Sequence, residues 1–421
     1  GCLSLRRINI PATVKWISQS AFCGCTNLSE VDLFEGLEYI DRFLFLGCLS
    51  LERIRIPSTV KTIFCGAFSG CTNLSVVDLF EGLENIDRHA FDSCLSLRRI
   101  NVPATVESIG GFAFQNCTQL RSVELCEGLR EIDCEAFGSC SSLERIRIPS
   151  TVKSIDCDAF EGCTNLREVE LCEGLEDIKY GAFRGCLSLR RINIPATVKW
   201  IGEFAFSGCT NLSEVDLFEG LRKIDCEAFK NCSSLERIRI PSTVRSIDVF
   251  AFSGCTNLRE VELCEGLEDI KYGAFRGCLS IRRINIPAPV AWIDVCAFED
   301  CQSFEALFLS GESMRGWWNS GISLEALLAY VCIPYIPKRR GMIHHLRKWR
   351  TKIRDNLTCL PHTDGSFLPS INATSTVYEN FKRLKDTAAL LELAILKTKL
   401  DEHGNDKHLG NMDYAMRRAE L

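Results

Sequence analysis

Residues 140–162, CSSLERIRIPSTVKSIDCDAFEG, contain the features that decide the fold. Ile146 and Ile148 alternate with arginines, which is the period-two pattern of a strand with one buried face. Pro149 follows directly, and because proline has no N–H to donate to a neighbouring strand, the strand ends there. The rest of the stretch has room for one short helical turn and a loop that returns an Ala-Phe pair to the interior.

The same stretch recurs along most of the chain. Cysteines stand at an unbroken interval of 23 residues from Cys2 to Cys301, and a phenylalanine stands 20 residues after each cysteine from Phe22 to Phe298. We number positions from the cysteine of each coil, so that Cys140 begins the seventh coil. Odd-numbered coils have Pro at +9, whereas even-numbered coils have Glu-Gly at +10 and +11, where glycine permits a turn with positive φ. Both devices end the strand at the same place.

This period predicts a solenoid, because one such unit cannot bury its apolar face alone and stacked neighbours can. We expect residues 1–309 to form thirteen coils and a partial fourteenth. The predicted fold is an α/β-type repeat solenoid, right-handed and curved, with one parallel β-sheet on its concave face. Residues 310–421 lack the pattern, and we expect them to form a helical cap over the apolar end of the solenoid and a small α-helical C-terminal tail.

The consensus CxSLxxIxIPxTVxxIxxxAFxG resembles the BspA-type class of leucine-rich repeats over residues 2 to about 309. It differs from the commonest leucine-rich consensus, because Thr13 or Gly36 and their equivalents stand where Asn or Cys is usual. The resemblance implies a right-handed solenoid and a role like that of bacterial surface and adhesion proteins. Similar repeats are greatly expanded in unicellular eukaryotes, including diatoms, mostly without an assigned function.

Charged residues at +5 and +7 alternate in sign from coil to coil on the exposed side of the predicted sheet. Opposite charges on neighbouring strands contribute ~0.2 to 1 kcal/mol each, so one interpretation is a set of ion pairs that keep the strands in register. The other interpretation is a surface that binds a polar protein partner in adhesion or recognition, as solenoids commonly do. The candidate partner-binding residues are Arg53, Arg55, Glu124, Arg145, Arg147, Glu168, Glu170, Arg237 and Arg239.

Groups that could perform catalysis are missing from the repeat region. His89 is its only histidine, which excludes the usual Ser/His/Asp and Cys/His arrangements. The many carboxylates are predicted to lie beside arginines, which lower a carboxyl pKa and suit neither a general acid nor a nucleophile. We therefore expect no enzymatic activity, no cofactor, no metal and no small-molecule substrate.

The chain has 25 cysteines, but fourteen of them hold the first position of successive coils and are not spaced as disulfide pairs. A small apolar position next to a turn predicts a buried free thiol. Further cysteines at +9 and +17, among them Cys134 and Cys157, favour a reducing, intracellular compartment, with the extracellular surface as the alternative. Since Gly1 already lies within a repeat, we expect the chain to be a fragment whose N-terminus, with any signal peptide, is missing.

Aromatic residues at +14 form a third feature of the repeat region. Trp16, Trp200 and Trp292 share this position, with Tyr39 there too, and they are interpreted either as packing on the flank of the solenoid or as a lateral contact patch.

The C-terminal segment differs in charge from the repeats. Residues before Ser310 have 32 basic and 43 acidic side chains, and the remainder has 17 and 12. An acidic body argues against a solenoid that binds nucleic acid with its repeats. Residues 338–354 combine eight Lys or Arg with apolar residues at helical spacing, so the alternative function is recruitment of this chain to an anionic membrane surface or a nucleic acid by a basic amphipathic helix. The tail basic patch is Arg347, Lys348, Arg350, Lys352 and Arg354.

Overall fold

A computed structural model of the chain describes residues 1–294 and 296–303, and the backbone of 306–309. The predicted helical cap and C-terminal tail, including the basic amphipathic helix at 338–354, lie outside these residues. Within the described part, every regular element is a β-strand, and the strands run parallel from coil to coil. Each coil supplies one long strand at +5 to +8, and twelve of the coils add a two-residue strand at +14 and +15.

The long strands form where the sequence alternates, and their buried residues face the core. In the strand Arg145–Ile148 the two isoleucines are buried and the two arginines are exposed. The long strands are Arg7–Ile10, Glu30–Leu33, Arg53–Arg55, Val76–Asp78, Arg99–Asn101, Ser122–Glu124, Arg145–Ile148, Glu168–Leu171, Arg191–Asn193, Glu214–Asp216, Arg237–Ile240, Glu260–Leu263, Arg283–Ile286 and Ala306–Leu309.

Pairing of the long strands alternates between extensive and minimal. Arg145–Ile148 pairs over four residues with Glu168–Leu171 in the next coil. On its other side the same strand pairs with its neighbour at one position, Ser122 with Arg145. Pairing from an odd coil to the following even coil is the extensive kind along the described chain. The described long strands thus divide into one six-stranded sheet and four two-stranded sheets, and the two-coil unit agrees with the alternation of Pro and Glu-Gly in the sequence.

A second parallel ladder, of twelve short strands, runs along the solenoid and was not predicted from the sequence. Each strand ends in an isoleucine whose side chain is buried, for example Ile155, which pairs with Ile178. The short strands are Tyr39–Ile40, Thr62–Ile63, Asn85–Ile86, Ser108–Ile109, Glu131–Ile132, Ser154–Ile155, Asp177–Ile178, Trp200–Ile201, Lys223–Ile224, Ser246–Ile247, Asp269–Ile270 and Trp292–Ile293.

The return segment of each coil consists of turns, so the predicted helical turn is wrong. Its alternate N–H groups donate to carbonyls of the next coil: Asp158 to Tyr180, and Phe160 to Ala182, each at 2.8 Å. A helix would direct those N–H groups to carbonyls in its own chain segment. Asp158 has a φ of 54°, a left-handed conformation that a helix does not contain. The intervening N–H groups donate within the segment, as Glu161 does to the Asp158 carbonyl at 2.9 Å, so hydrogen bonds between coils alternate with local turn hydrogen bonds.

The two strand-ending devices of the sequence fit together between neighbouring coils. The Oγ1 of Thr197 donates to the Leu175 carbonyl at 2.7 Å and accepts from the Gly174 N–H at 3.1 Å. In the same part of the preceding coils, Ser150 donates its backbone N–H and its hydroxyl to the Glu127 carboxylate at 3.1 and 2.9 Å. Threonine and glycine thus satisfy backbone groups that the end of the long strand leaves free. Equivalent threonines are Thr59, Thr105, Thr151 and Thr243.

The core is a stack of identical side chains, as the period predicts. Twelve phenylalanines from Phe45 to Phe298 are fully buried. Their rings follow one another with centroids 5.2 to 5.5 Å apart and nearly parallel planes. Phe114 and Phe137, whose burial tests the predicted fold most directly, are both fully buried and stack at 5.3 Å. The prediction of a solenoid whose core is formed by stacked aromatic and aliphatic side chains is confirmed.

The first cysteine of each coil from Cys48 onward donates its thiol to a phenylalanine carbonyl. Cys140 Sγ lies 3.1 Å from the Phe114 carbonyl oxygen, and Cys163 Sγ lies 3.2 Å from that of Phe137. Burial raises the pKa of Cys163 and Cys209 to about 12. The described cysteines are free thiols, and the prediction of buried ladder cysteines is confirmed from Cys25 to Cys301, whereas Cys2 in the first coil is exposed.

The ladder thiols are expected to resist alkylation until the solenoid unfolds, because they are buried and because the thiolate is the reactive form. Treatment of the native chain with iodoacetamide, followed by peptide mass spectrometry, should modify the exposed Cys126 and leave Cys140 and Cys163 unmodified. In denaturant all three should react. Labelling of Cys140 in native buffer as fast as Cys126 would contradict the packing described above.

Candidate binding surface

The exposed face of the long strands, at positions +5 and +7, is the candidate site, and we call it the long-strand face. The strand geometry directs these two side chains away from the core, because residues two apart lie on the same side of a strand. Parallel pairing in register then brings the same position of successive coils side by side, so Arg147 stands opposite Glu170. The repeat thereby determines which side chains at +5 and +7 are neighbours and which charges they carry.

In two coils that have Asn at +7, the arginine at +5 forms ion pairs with two carboxylates of the next coil. Arg7 lies 3.2 Å from Glu30 and 3.0 Å from Asp32. Arg191 lies 3.5 Å from Glu214 and 2.9 Å from Asp216. Both guanidinium side chains are 65% exposed, so solvent screens these pairs and they contribute little to stability.

In coils that have Arg at +7, this second arginine is the one that forms ion pairs. Arg147 lies 3.3 Å from Glu170 in the next coil and 3.3 Å from Glu127 in the preceding coil. Hydrogen bonds from Ser150, together with Arg147, lower the pKa of the Glu127 carboxyl. Arg239 repeats the arrangement, 3.2 Å from Glu262 and 3.8 Å from Glu219. The predicted cross-strand pairs therefore form at these positions.

The equivalent Arg55 has a different partner. Its guanidinium lies 4.8 Å from the centre of the Phe80 ring, which is a cation–π distance.

The remaining candidate residues form no ion pair with any described residue of the chain. Arg53, Arg145 and Arg237 at +5 are exposed, and no carboxylate of the described residues lies within 4 Å of their guanidinium groups. Glu124 and Glu168 are also exposed and without an ion pair among the described residues. The three arginines recur every 92 residues, which is four coils. The long-strand face thus presents three equivalent guanidinium groups that are available to a partner.

An open concavity of about 760 Å³ lies on this face at the eleventh to thirteenth coils. Arg237, Arg239, Arg259 and Arg283 line it together with Glu260 and Glu262. Sequence reasoning identified only the first two of these residues, because it followed single positions and not the neighbours that a concavity brings together. Arg259 pairs with Glu236 at 2.5 Å, so its position is held by the preceding coil.

The aromatic residues at +14 lie on a different surface, along the short strands. Trp16 is 62% exposed and Trp200 is 47% exposed. Lys223 Nζ lies 5.2 Å from the Trp200 ring, and the Trp200 indole N–H donates to Asp225 at 3.4 Å. Because eight coils separate Trp16 from Trp200, they do not form one continuous patch.

None of the described residues forms a helix that is long and apolar enough to cross a membrane. The tail basic patch at Arg347, Lys348, Arg350, Lys352 and Arg354 lies outside the described residues, so membrane or nucleic-acid recruitment by 338–354 stays a prediction.

A parallel solenoid of 23-residue coils with one charged strand face is a leucine-rich-repeat protein. The sequence matches the family described as BspA type leucine rich repeat region, in six copies, over residues 1–110, 84–200 and 176–305. The chain therefore belongs to the BspA-type leucine-rich-repeat family. Among curated proteins, none matches the sequence at a significant level.

One solved structure supports the fold, and a second is similar in sequence. A leucine-rich repeat protein from Bacteroides ovatus ATCC 8483 is 26% identical with a TM-score of 0.60, and the match covers 74% of this chain and 85% of that protein. A leucine rich cell surface protein from Faecalibacterium prausnitzii A2-165 is 25% identical with a TM-score of 0.38, over 75% of this chain and 89% of that protein. Leucine-rich-repeat solenoids typically present extended surfaces to protein partners and are generally non-enzymatic.

Proposed function

We propose that this chain is a non-catalytic interaction scaffold that binds a protein partner on the long-strand face through Arg53, Arg145 and Arg237. The observation that supports the proposal is the difference between these arginines and their neighbours at +7. Arg147 and Arg239 have their charge compensated within the solenoid. The arginines at +5 in the same coils form no ion pair within 4 Å among the described residues, although Glu168 and Glu260 stand opposite Arg145 and Arg237 on the following strands.

The partner is proposed to be acidic and extended. Strands in successive coils lie ~4.8 Å apart, so guanidinium groups four coils apart are separated by ~19 Å along the sheet. Three such groups span about 40 Å, which suits a partner that follows the solenoid axis and offers several carboxylates. Arginine is well suited to this role because its planar guanidinium binds a carboxylate through two hydrogen bonds.

The test is a comparison of two triple charge reversals in the full chain. The variant R53E, R145E and R237E should lose partners that the unaltered chain retains on a column at low salt. The control variant K15E, K153E and R222E places the same number of charge changes at +13, an exposed flank position of the first, seventh and tenth coils. It should retain those partners, because its substitutions lie off the long-strand face.

Crosslinking identifies the face directly. A photo-crosslinking residue at Ser122, at +5 of the sixth coil, should capture the same partner that the reversal at +5 releases. If the two triple variants lose binding equally, or if neither loses it, the long-strand face is not the binding surface and the proposal fails.

A further inference from the structure

A cluster of potential metal ligands lies on the return turns, away from the long-strand face. Position +17 is cysteine in two neighbouring coils, at Cys134 in the sixth and Cys157 in the seventh. The Sγ atoms of both residues and a carboxylate oxygen of Asp156 lie within 4.8 Å of one another. Stacking of the coils produces this proximity, because equal positions in neighbouring coils are adjacent in space.

The three side chains are held in place by the backbone of the solenoid. The Cys134 carbonyl accepts from the Phe112 N–H, and the Cys157 carbonyl accepts from the Glu135 N–H, each at 2.9 Å. The Asp156 carboxylate accepts from the Cys157 N–H at 2.8 Å and from Lys179 Nζ at 3.0 Å. A site on hydrogen-bonded coils is more precise than one on a free loop.

Solvent reaches this cluster, in contrast to the cysteine ladder of the core. Cys134, Asp156 and Cys157 are all half-buried. The ladder thiols are buried and donate to phenylalanine carbonyls, so they offer no open coordination position. Cys65 and Cys226 share position +17 but have no cysteine at +17 in either neighbouring coil. Only the pair at Cys134 and Cys157, among the described +17 positions, provides two adjacent accessible thiols.

We propose that Cys134, Cys157 and Asp156 bind a thiophilic divalent cation of the zinc type, with a solvent molecule in the fourth position. Two sulfur ligands and one carboxylate match the ligand preference and the tetrahedral geometry of Zn²⁺. Calcium and magnesium require oxygen ligands and do not fit the thiols. On binding, the two thiols give up their protons to solvent as two Zn–S bonds form, and no electron transfer takes place.

The charges around the cluster favour a cation. Asp133 accepts the Cys134 N–H at 2.7 Å and Asp156 accepts the Cys157 N–H at 2.8 Å, so two carboxylates lie beside the thiols. Lys179 is the opposing positive charge, and its ammonium group is bound to Asp156. A divalent cation between the sulfurs and Asp156 would compensate the carboxylates and stabilise both thiolates.

The experiment titrates the reduced, full-length chain with Zn²⁺ alone in competition with a chromophoric chelator. The unaltered chain should hold one equivalent of zinc more tightly than any other equivalent. Cys134→Ser and Cys157→Ser should each weaken that equivalent by at least about 100-fold, because even second-shell partners are worth about 10- to 100-fold. Asp156→Asn should weaken it by at least about 10-fold while every thiol remains, because it replaces a ligand and not a second-shell partner.

The matched control is the double variant Cys65→Ser and Cys226→Ser, which removes two cysteines from the same coil position and should leave the tight equivalent unchanged. Substitution of Co²⁺ for Zn²⁺ provides an independent readout, since sulfur-to-cobalt charge-transfer absorption should appear in the unaltered chain and the control and be lost in Cys134→Ser. Circular dichroism of each variant checks that the solenoid is folded. The proposal is overturned if the control loses the tight equivalent, if Cys134→Ser keeps it, or if the two thiols exist as a disulfide that reductant does not open.

Discussion

Phe160→Ala should lower the free energy of unfolding by about 3 to 5 kcal/mol, the range for a phenylalanine removed from a rigid core. The side chain is fully buried. Its ring stacks on Phe137 at 5.4 Å and on Phe183 at 5.3 Å, so the substitution removes contacts on both sides. Because the backbones of neighbouring coils are joined by N–H to carbonyl hydrogen bonds, the surrounding structure has little freedom to close the cavity.

Equilibrium unfolding in urea, followed by circular dichroism, measures this loss. A solenoid is stabilised mainly by contacts between nearest neighbours, so the damage should be local. Native-state hydrogen exchange should therefore show a larger loss of protection in the sixth to eighth coils than in the second and third. Phe218→Ala is the matched control, because that phenylalanine is 45% exposed and should cost no more than about 1 kcal/mol. Equal costs for the two variants would show that the phenylalanine stack does not hold the coils together.

The fold was predictable because the period places the same residue at the same point of every coil. Once one phenylalanine at +20 is directed inward, parallel stacking requires all of them to be, and Phe114 and Phe137 confirm it. The same reasoning predicted the buried cysteine ladder. Repetition thus converts a weak local pattern into a strong constraint on the whole chain.

The short-strand ladder and the return turns could not be predicted in this way. A strand of two residues such as Ser154–Ile155 has no alternation to detect. The return turns depend on N–H groups that donate to the following coil, for example Asp158 to Tyr180, and such partners are not visible in a local sequence window. A helical turn was the wrong prediction because it accounts only for hydrogen bonds within a segment.

The sequence predicted the position of the candidate site. It predicted the ion-pair partners of its arginines only in part. The sequence indicated which charges share the long-strand face, and the pairs of Arg147 and Arg239 were predicted in kind. It did not indicate that Arg147 also reaches back to Glu127, because that contact depends on side-chain direction. Nor did it distinguish the compensated arginines from Arg145. The proximity of Cys134 and Cys157 likewise needs a distance, which spacing alone does not provide.

Gly174→Ala should destabilise the solenoid by about 3 kcal/mol, the second large effect that the structure predicts. Gly174 has a φ of 116°, a conformation that residues with a Cβ rarely adopt. A Cβ at this position would also collide with the backbone carbonyl oxygen of Ser150 in the preceding coil. Relief of that collision would displace Gly174 and disturb the hydrogen bond that its N–H donates to Thr197 Oγ1 at 3.1 Å. The cost therefore combines backbone strain, a clash and a weakened hydrogen bond between coils.

Gly138→Ala is the control, because Gly138 lacks the positive φ of Gly174 and an added Cβ would meet its nearest neighbour, the Glu135 carbonyl oxygen, at an ordinary 3.4 Å. Its effect should stay within about 0.5 kcal/mol, since alanine there adds no strain and removes freedom from the unfolded chain. Urea unfolding of the two variants under one set of conditions gives the comparison. If Gly174→Ala is as stable as Gly138→Ala, the close contact between Gly174 and the Ser150 carbonyl oxygen does not contribute to the packing of an even coil on the preceding odd coil.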